Sequence, residues 1–157
     1  MTGESEMIEA LTKAFLIALM LTGRIEAAEA AVLDGITAVE LDHIFGDSLL
    51  LATAKSAVQR RTEFPEQKLG LSILPLELRR LFLLPPNYRD CFVLRVLNGL
   101  TSEFCSGILH LSINEVDGAL YRALQELPRI ETCDMDRLEI VHSAHDAKVD
   151  SSTSTSE

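Results

Sequence analysis

The chain has 157 residues, of which 47% are hydrophobic and 24% charged. These are the proportions of a globular protein with a core to bury, and they exclude wholesale disorder. There is no Trp, and aromatics make up 5%, so the core must be mostly Leu, Ala, Val and Ile, which suits helices better than a β-sandwich. The formal net charge of −10, from 14 Lys and Arg against 24 Asp and Glu, is the reverse of the basic balance usual in a nucleic-acid binder.

The opening residues, Met1-Thr2-Gly3-Glu4-Ser5-Glu6, are acidic, unlike the cationic start of a signal peptide. The longest apolar run, Ala14–Leu21, is shorter than the ~20 residues needed to span a bilayer. A cytoplasmic protein with no membrane partner is expected. Charge is unevenly spread: residues 1–64 and 131–157 are both net acidic, whereas residues 65–130 carry seven basic and seven acidic side chains.

In chain order, the spacing of Met7, Leu11, Phe15, Ala18 and Leu19 predicts a helix over Glu6–Leu21, stopped by Thr22-Gly23. An Ala-rich helix follows over Ile25–Leu33, with Asp34-Gly35 as a break and a further turn over Thr37–Phe45. Gly46-Asp47-Ser48 signals a cap for a helix over Ser48–Arg61, with Leu50, Leu51, Ala54 and Val58 as its apolar set. Arg60 and Arg61 suit the negative end of its dipole. Residues 62–75, with Pro65, Gly70 and Pro75, read as a linker, and Leu76–Leu84 as a short helix before Pro85-Pro86.

The next predicted helix, Asn87–Leu97, carries Tyr88, Cys91, Phe92, Leu94 and Val96 and stops at Asn98-Gly99. Leu100-Thr101-Ser102 caps a helix over Glu103–Leu109. His110-Leu111-Ser112 is a turn, with Ser112 as N-cap of a helix over Ile113–Leu127 that Pro128 closes. Two helices joined by a short turn, behind a supporting helix, outline a helix-turn-helix. The predicted fold class is all-α: two small helical lobes, residues 1–61 and 85–130, joined by a linker region over 62–84. Residues 131–157 read as an acidic tail, ending in the low-complexity Asp150–Glu157, where disorder is expected.

Little in the sequence suggests catalysis. Cys91, Cys105 and Cys133 are odd in number and form no C-x-x-C, so free thiols are expected. Cys133, Asp134, His142 and His145 match no standard zinc spacing. The first-lobe carboxylates join no base, nucleophile or Gly-rich loop in a recognisable constellation. No enzyme, metal or cofactor is expected.

The run Leu84-Pro85-Pro86-Asn87-Tyr88-Arg89-Asp90-Cys91-Phe92-Val93-Leu94-Arg95 is followed by Asn98-Gly99-Leu100-Thr101, by Ile108-Leu109-x-Leu111-Ser112-Ile113-x-x-Val116, and by Leu120-Tyr121-Arg122-Ala123-Leu124. This series resembles region four of bacterial sigma factors, in the small two-lobed extracytoplasmic-function group of the sigma-70-type family. The first lobe is similar more loosely: Ala27-Ala28-Glu29 stands where the family favours an acidic cluster, and Ser48–Arg61 resembles the helix that ends in paired arginines. The resemblance implies an association with core RNA polymerase through the first lobe and with promoter DNA through both lobes. It places candidate DNA contacts at Arg122, Asn114 and Ser112 in the second lobe and at Lys55, Arg60 and Arg61 in the first.

The departures fall on those contact positions. Asp117, Ala119 and Leu124 stand where the family carries cations on its recognition helix, and only Arg122 survives. Phosphate contacts by Lys and Arg supply most non-specific DNA affinity, so an acidic helix points instead to a protein surface, with Asp117, Glu115, Ala119 and Glu29 as candidate partner contacts. Leu49 or Leu50 replaces the family's aromatic base-stacking platform. His110 replaces the usual turn glycine, where a positive φ suits Gly or Asn, so a reshaped turn is expected. Three function classes follow: a working initiation factor bound to core polymerase and a promoter; a sigma mimic that binds an anti-sigma factor by protein contact without DNA; and a helical interaction module or dimeric regulator. The family's usual role makes the first, a sigma-factor-like initiation or regulation protein on core polymerase, the expected function; the mimic, which charge favours, and the module are its alternatives.

Overall fold

The first helix owes its composition to neighbours on more than one side. In the computed structural model, which describes residues 2–39, 47–61 and 71–130, α1 spans Thr2–Thr22. From Ile17 to Thr22 every residue is buried, which accounts for an apolar run without a polar face. It packs against α2 (Ile25–Ala38) and α3 (Asp47–Arg60) of its own lobe, and against α5 (Pro86–Phe92) and the turn that follows α5 in the second. Thr22 Oγ1 donates to the Ala18 carbonyl (2.8 Å) and Gly23 N–H to Leu19 (2.7 Å). Gly23 takes the left-handed conformation (φ 71°) that ends the helix.

The expected break at Asp34-Gly35 does not occur, because α2 runs through it to Ala38. Gly35 is there for close approach. A Cβ at this position would overlap Thr53 Oγ1 and lie 3.2 Å from the Thr53 backbone nitrogen and 3.3 Å from its Cα, so α2 and α3 meet backbone to backbone. Asp34, one residue earlier, accepts hydrogen bonds from Ser56 Oγ (2.5 Å) and Arg60 Nε (2.5 Å) on α3. These partners hold its carboxyl below the usual carboxylate range. Of the turn expected over Thr37–Phe45, residues 40–46 lie outside the described residues. In α3, Leu49 and Leu50 are both in the core.

The described part of the linker region is packed. Residues Leu71–Ile73 form a single 3₁₀ turn, α4 spans Leu76–Arg79 and a second 3₁₀ turn runs over Arg80–Leu83. Leu74, Leu81 and Leu84 are buried in the same core as both lobes, and Arg79 donates to the carbonyls of Leu74 (2.8 Å) and Ser72 (3.0 Å). Pro86 starts α5 at the first helical position, where its missing N–H has no partner to lose. The helix predicted over Asn87–Leu97 is α only as far as Phe92. Val93–Leu97 winds as one wider π turn, closed by Asn98 N–H to the Val93 carbonyl (3.0 Å). Then come α6 (Ser102–Leu109) and α7 (Ile113–Glu126). No strand occurs among the described residues, in agreement with the all-α expectation. The acidic tail and its Cys133, Asp134, His142 and His145 lie outside the described residues.

Replacing Gly35 by Ala should destabilise the protein by about 1–3 kcal/mol, read as a lower urea midpoint at unchanged slope, because the added methyl must push α2 away from Thr53.

Candidate recognition surface

The second lobe builds its helix-turn-helix from local caps. Thr101 Oγ1 accepts the Phe104 N–H (3.4 Å) at the start of α6. At its end His110 adopts φ 56°, ψ 38°, the left-handed geometry that glycine provides in the family. The turn is therefore kept, not reshaped as expected. Its cost for a side-chain-bearing residue, about 1–2 kcal/mol, is offset by local bonds: His110 N–H and Leu111 N–H both donate to the Ser106 carbonyl, and Ser106 Oγ donates to the Leu111 carbonyl (2.5 Å).

Ser112 then opens α7 with a reciprocal box. Its Oγ accepts Glu115 N–H (3.2 Å), and its own N–H donates to Glu115 Oε2 (2.7 Å). The bond from the Ser112 N–H, ahead of the Ser112 side chain, favours the ionised Glu115 carboxylate and holds it below the usual glutamate range. Val116, Ala119 and Ala123 form the buried stripe of α7. Cys91 and Cys105 lie beneath this lobe as buried free thiols. Burial pushes them up to about 12 and about 11, so neither is poised for nucleophilic or metal chemistry.

The exposed face of α7 is apolar and mixed in charge. Ile113, Tyr121 and Leu124 are 43%, 62% and 51% exposed, and at helical spacing they share one stripe with Asp117. Asp117 accepts a hydrogen bond from Ser102 Oγ (2.6 Å), so the acidic residue also braces α6 on α7. Asn114 and Arg122 are solvent-facing. Arg122, Glu115, Asn87 and Tyr88 line a cleft of about 370 Å³ between α5 and α7. Ala119 is a correction to the sequence reading: at 8% exposure it belongs to the core, because it falls on the stripe of Val116 and Ala123, and it offers a partner almost no surface. Ser112 is held by its capping role.

The first-lobe cations are not brought together as a basic patch. Arg60 pairs with Asp34 on α2 (2.5 Å). Arg61 pairs with Asp90, which α5 carries into the core between the lobes. Lys55 is exposed on α3 and Glu29 is exposed on α2. Leu49 and Leu50 are core residues, so neither offers a base-stacking surface. The sequence reading did not single out Asp34 or Asp90. For Asp90 a signal was present, since it lies four residues before Leu94 and so on the core face of its helix.

The comparisons with known proteins agree with this geometry. Residues 74–127 match the family model described as Sigma-70, region 4. The second lobe is thus similar to sigma-70 region 4. Its match begins at Leu74, within the packed segment that precedes Pro85. The chain also matches a solved structure, "Co-crystal structure of the sigma factor RpoE in complex with the anti-sigma factor NepR from Bartonella quintana", with a TM-score of 0.58 and 18% identity over 83% of this chain and 98% of that one. At that identity the likeness is one of fold, and it extends the sigma-factor-like architecture across both lobes. No curated protein matches the chain in sequence. Among the described residues no group of three or more His, Cys, Asp or Glu could hold a metal ion, and no helix is long and apolar enough to cross a membrane.

Substituting Ser112→Ala removes the hydroxyl but keeps the N–H that bonds the carboxylate, so the Glu115 carboxyl should rise only part of the way and stay below the ordinary glutamate range, followed by carbon-detected NMR titration. Because the folded state holds Glu115 below its unfolded value, the contribution of the box is present above that value and is lost as pH falls through the depressed one. The wild type should therefore lose α7 stability on acidification through that range, and the variant should show a smaller loss.

Proposed function

We propose that this chain is a sigma-factor-like transcription regulator that works by protein contact, with an anti-sigma-type protein as the partner of its second lobe. The observation that carries this reading is the exposed face of α7: Ile113, Tyr121 and Leu124 flank Asp117, and Arg122 is the single cation of that helix. A duplex-reading face needs cations against phosphate. A protein partner favours aromatic and aliphatic anchors within a polar rim. The similar structure from Bartonella quintana is of a sigma factor with an anti-sigma factor bound, which supports a partner of that class. Tyr121, Leu124, Asp117 and Glu115 are the proposed contacts, with Glu29 on the first lobe.

A second reading, association with core RNA polymerase and a promoter, is favoured by the intact turn at His110 and by the region 4 match. In that case Arg122, Asn114 and Lys55 are the residues left to meet DNA, since Arg60 and Arg61 are engaged within the fold.

Affinity capture with the full chain from a bacterial lysate, followed by mass spectrometry, separates the two. We expect a small helical anti-sigma-type protein, lost on Tyr121→Ala with Leu124→Ala. Retention of the polymerase β and β′ subunits, unaffected by those substitutions, would contradict the proposal and support the second reading.

A further inference from the structure

Asp90 is a charged residue with no access to solvent. It belongs to α5 of the second lobe, yet Arg61, at the end of α3 in the first lobe, pairs with its Oδ2. Its neighbour Arg89 approaches Oδ1 at 3.7 Å and holds its guanidinium 4.8 Å from the Phe82 ring centre. Arg24 Nη1, from the entry to α2, donates to the Arg61 carbonyl (3.2 Å), which fixes the end of α3 in place. Around this cluster the two lobes share one core, in which Ile17 and Met20 of α1 are buried with Leu81, Leu84 and Leu94. Apolar packing is non-directional, and the ion pair adds a directional contact between the two lobes.

We propose that the Arg61–Asp90 pair is a latch that holds the two lobes in one closed body and that releases as a unit. Removing Arg61 in the closed state strands the fully buried Asp90 carboxylate, which is far more costly than losing a surface pair. Opening the lobes lets water solvate it. The free energy that strands the charge thus becomes a drive to open. For a partner that must grip both lobes in another arrangement, apparent affinity scales with the open fraction. That consequence rests on the sigma-factor-like reading, whereas the latch itself does not.

The test is a distance measurement between spin labels at Glu26→Cys on α2 and Gln125→Cys on α7 in the full chain, with Cys133→Ser. Cys91 and Cys105 are buried and remain unlabelled. The otherwise native chain should give one narrow distance distribution. Arg61→Ala should shift the closed-to-open ratio by about a hundredfold or more, seen as a dominant broad population at longer distance with helicity unchanged. Arg61→Met with Asp90→Leu, which replaces the pair by apolar side chains, should restore the narrow distribution. If Arg61→Ala loses its helices, Asp90→Asn, which keeps the shape of the side chain, decides by the same readout. A folded Arg61→Ala or Asp90→Asn chain with the native distance distribution would overturn the latch.

Discussion

A carboxylate removed from water has to be compensated where it lies, and Asp90 imposes that demand on both halves of the molecule. Burial pushes its carboxyl above the usual range, and the Arg61 and Arg89 guanidinium groups pull it back. Arg61 can reach it only if α3 ends beside α5. That placement brings the last turns of α1 between its own lobe and the π turn of the second, so that Ile17–Leu21 is buried all round. Leu74, Leu81 and Leu84 then complete one continuous core. The two lobes are here one packed body, with an ion pair at their junction.

The same economy of charge shapes the outer surface. Arg60 and Arg61, the cations that the family resemblance assigns to DNA, are held by Asp34 and Asp90. In the second lobe the helix-turn-helix frame is intact at each of its structural points: the Thr101 cap, the left-handed His110 and the Ser112–Glu115 box. What differs is the face that the frame presents. Asp117 turns toward Ser102, and Tyr121 and Leu124 stand outward where phosphate partners would be needed. A frame preserved without its cations is suited to a partner that recognises shape and apolar surface.

Much of this was legible in the sequence because it is local. Capping residues, the glycine stops at Gly23 and Gly99, the proline start of α5 and the region-four series all act within a few residues of themselves. The parts that were not legible are long-range. Asp34-Gly35 has the composition of a break, but it is where α2 meets Thr53 across the lobe. Ala119 aligns with an exposed family position, yet the stripe of Val116 and Ala123 carries it inward. Residues 71–84 carry the linker-like Pro75 but supply three core leucines. The roles of Arg60 and Arg61 depended on carboxylates more than twenty residues away, which no local spacing encodes.

The most direct test is titration of fluorescent double-stranded DNA, of mixed sequence and containing promoter elements, with the full chain over a range of salt. A recognition face built for protein predicts no saturable binding even at about 50 mM salt, where phosphate contacts are strongest. Saturable binding whose logarithm falls with the logarithm of salt at a slope equivalent to several phosphates, and which Arg122→Ala weakens, would contradict it and make α7 a DNA reader.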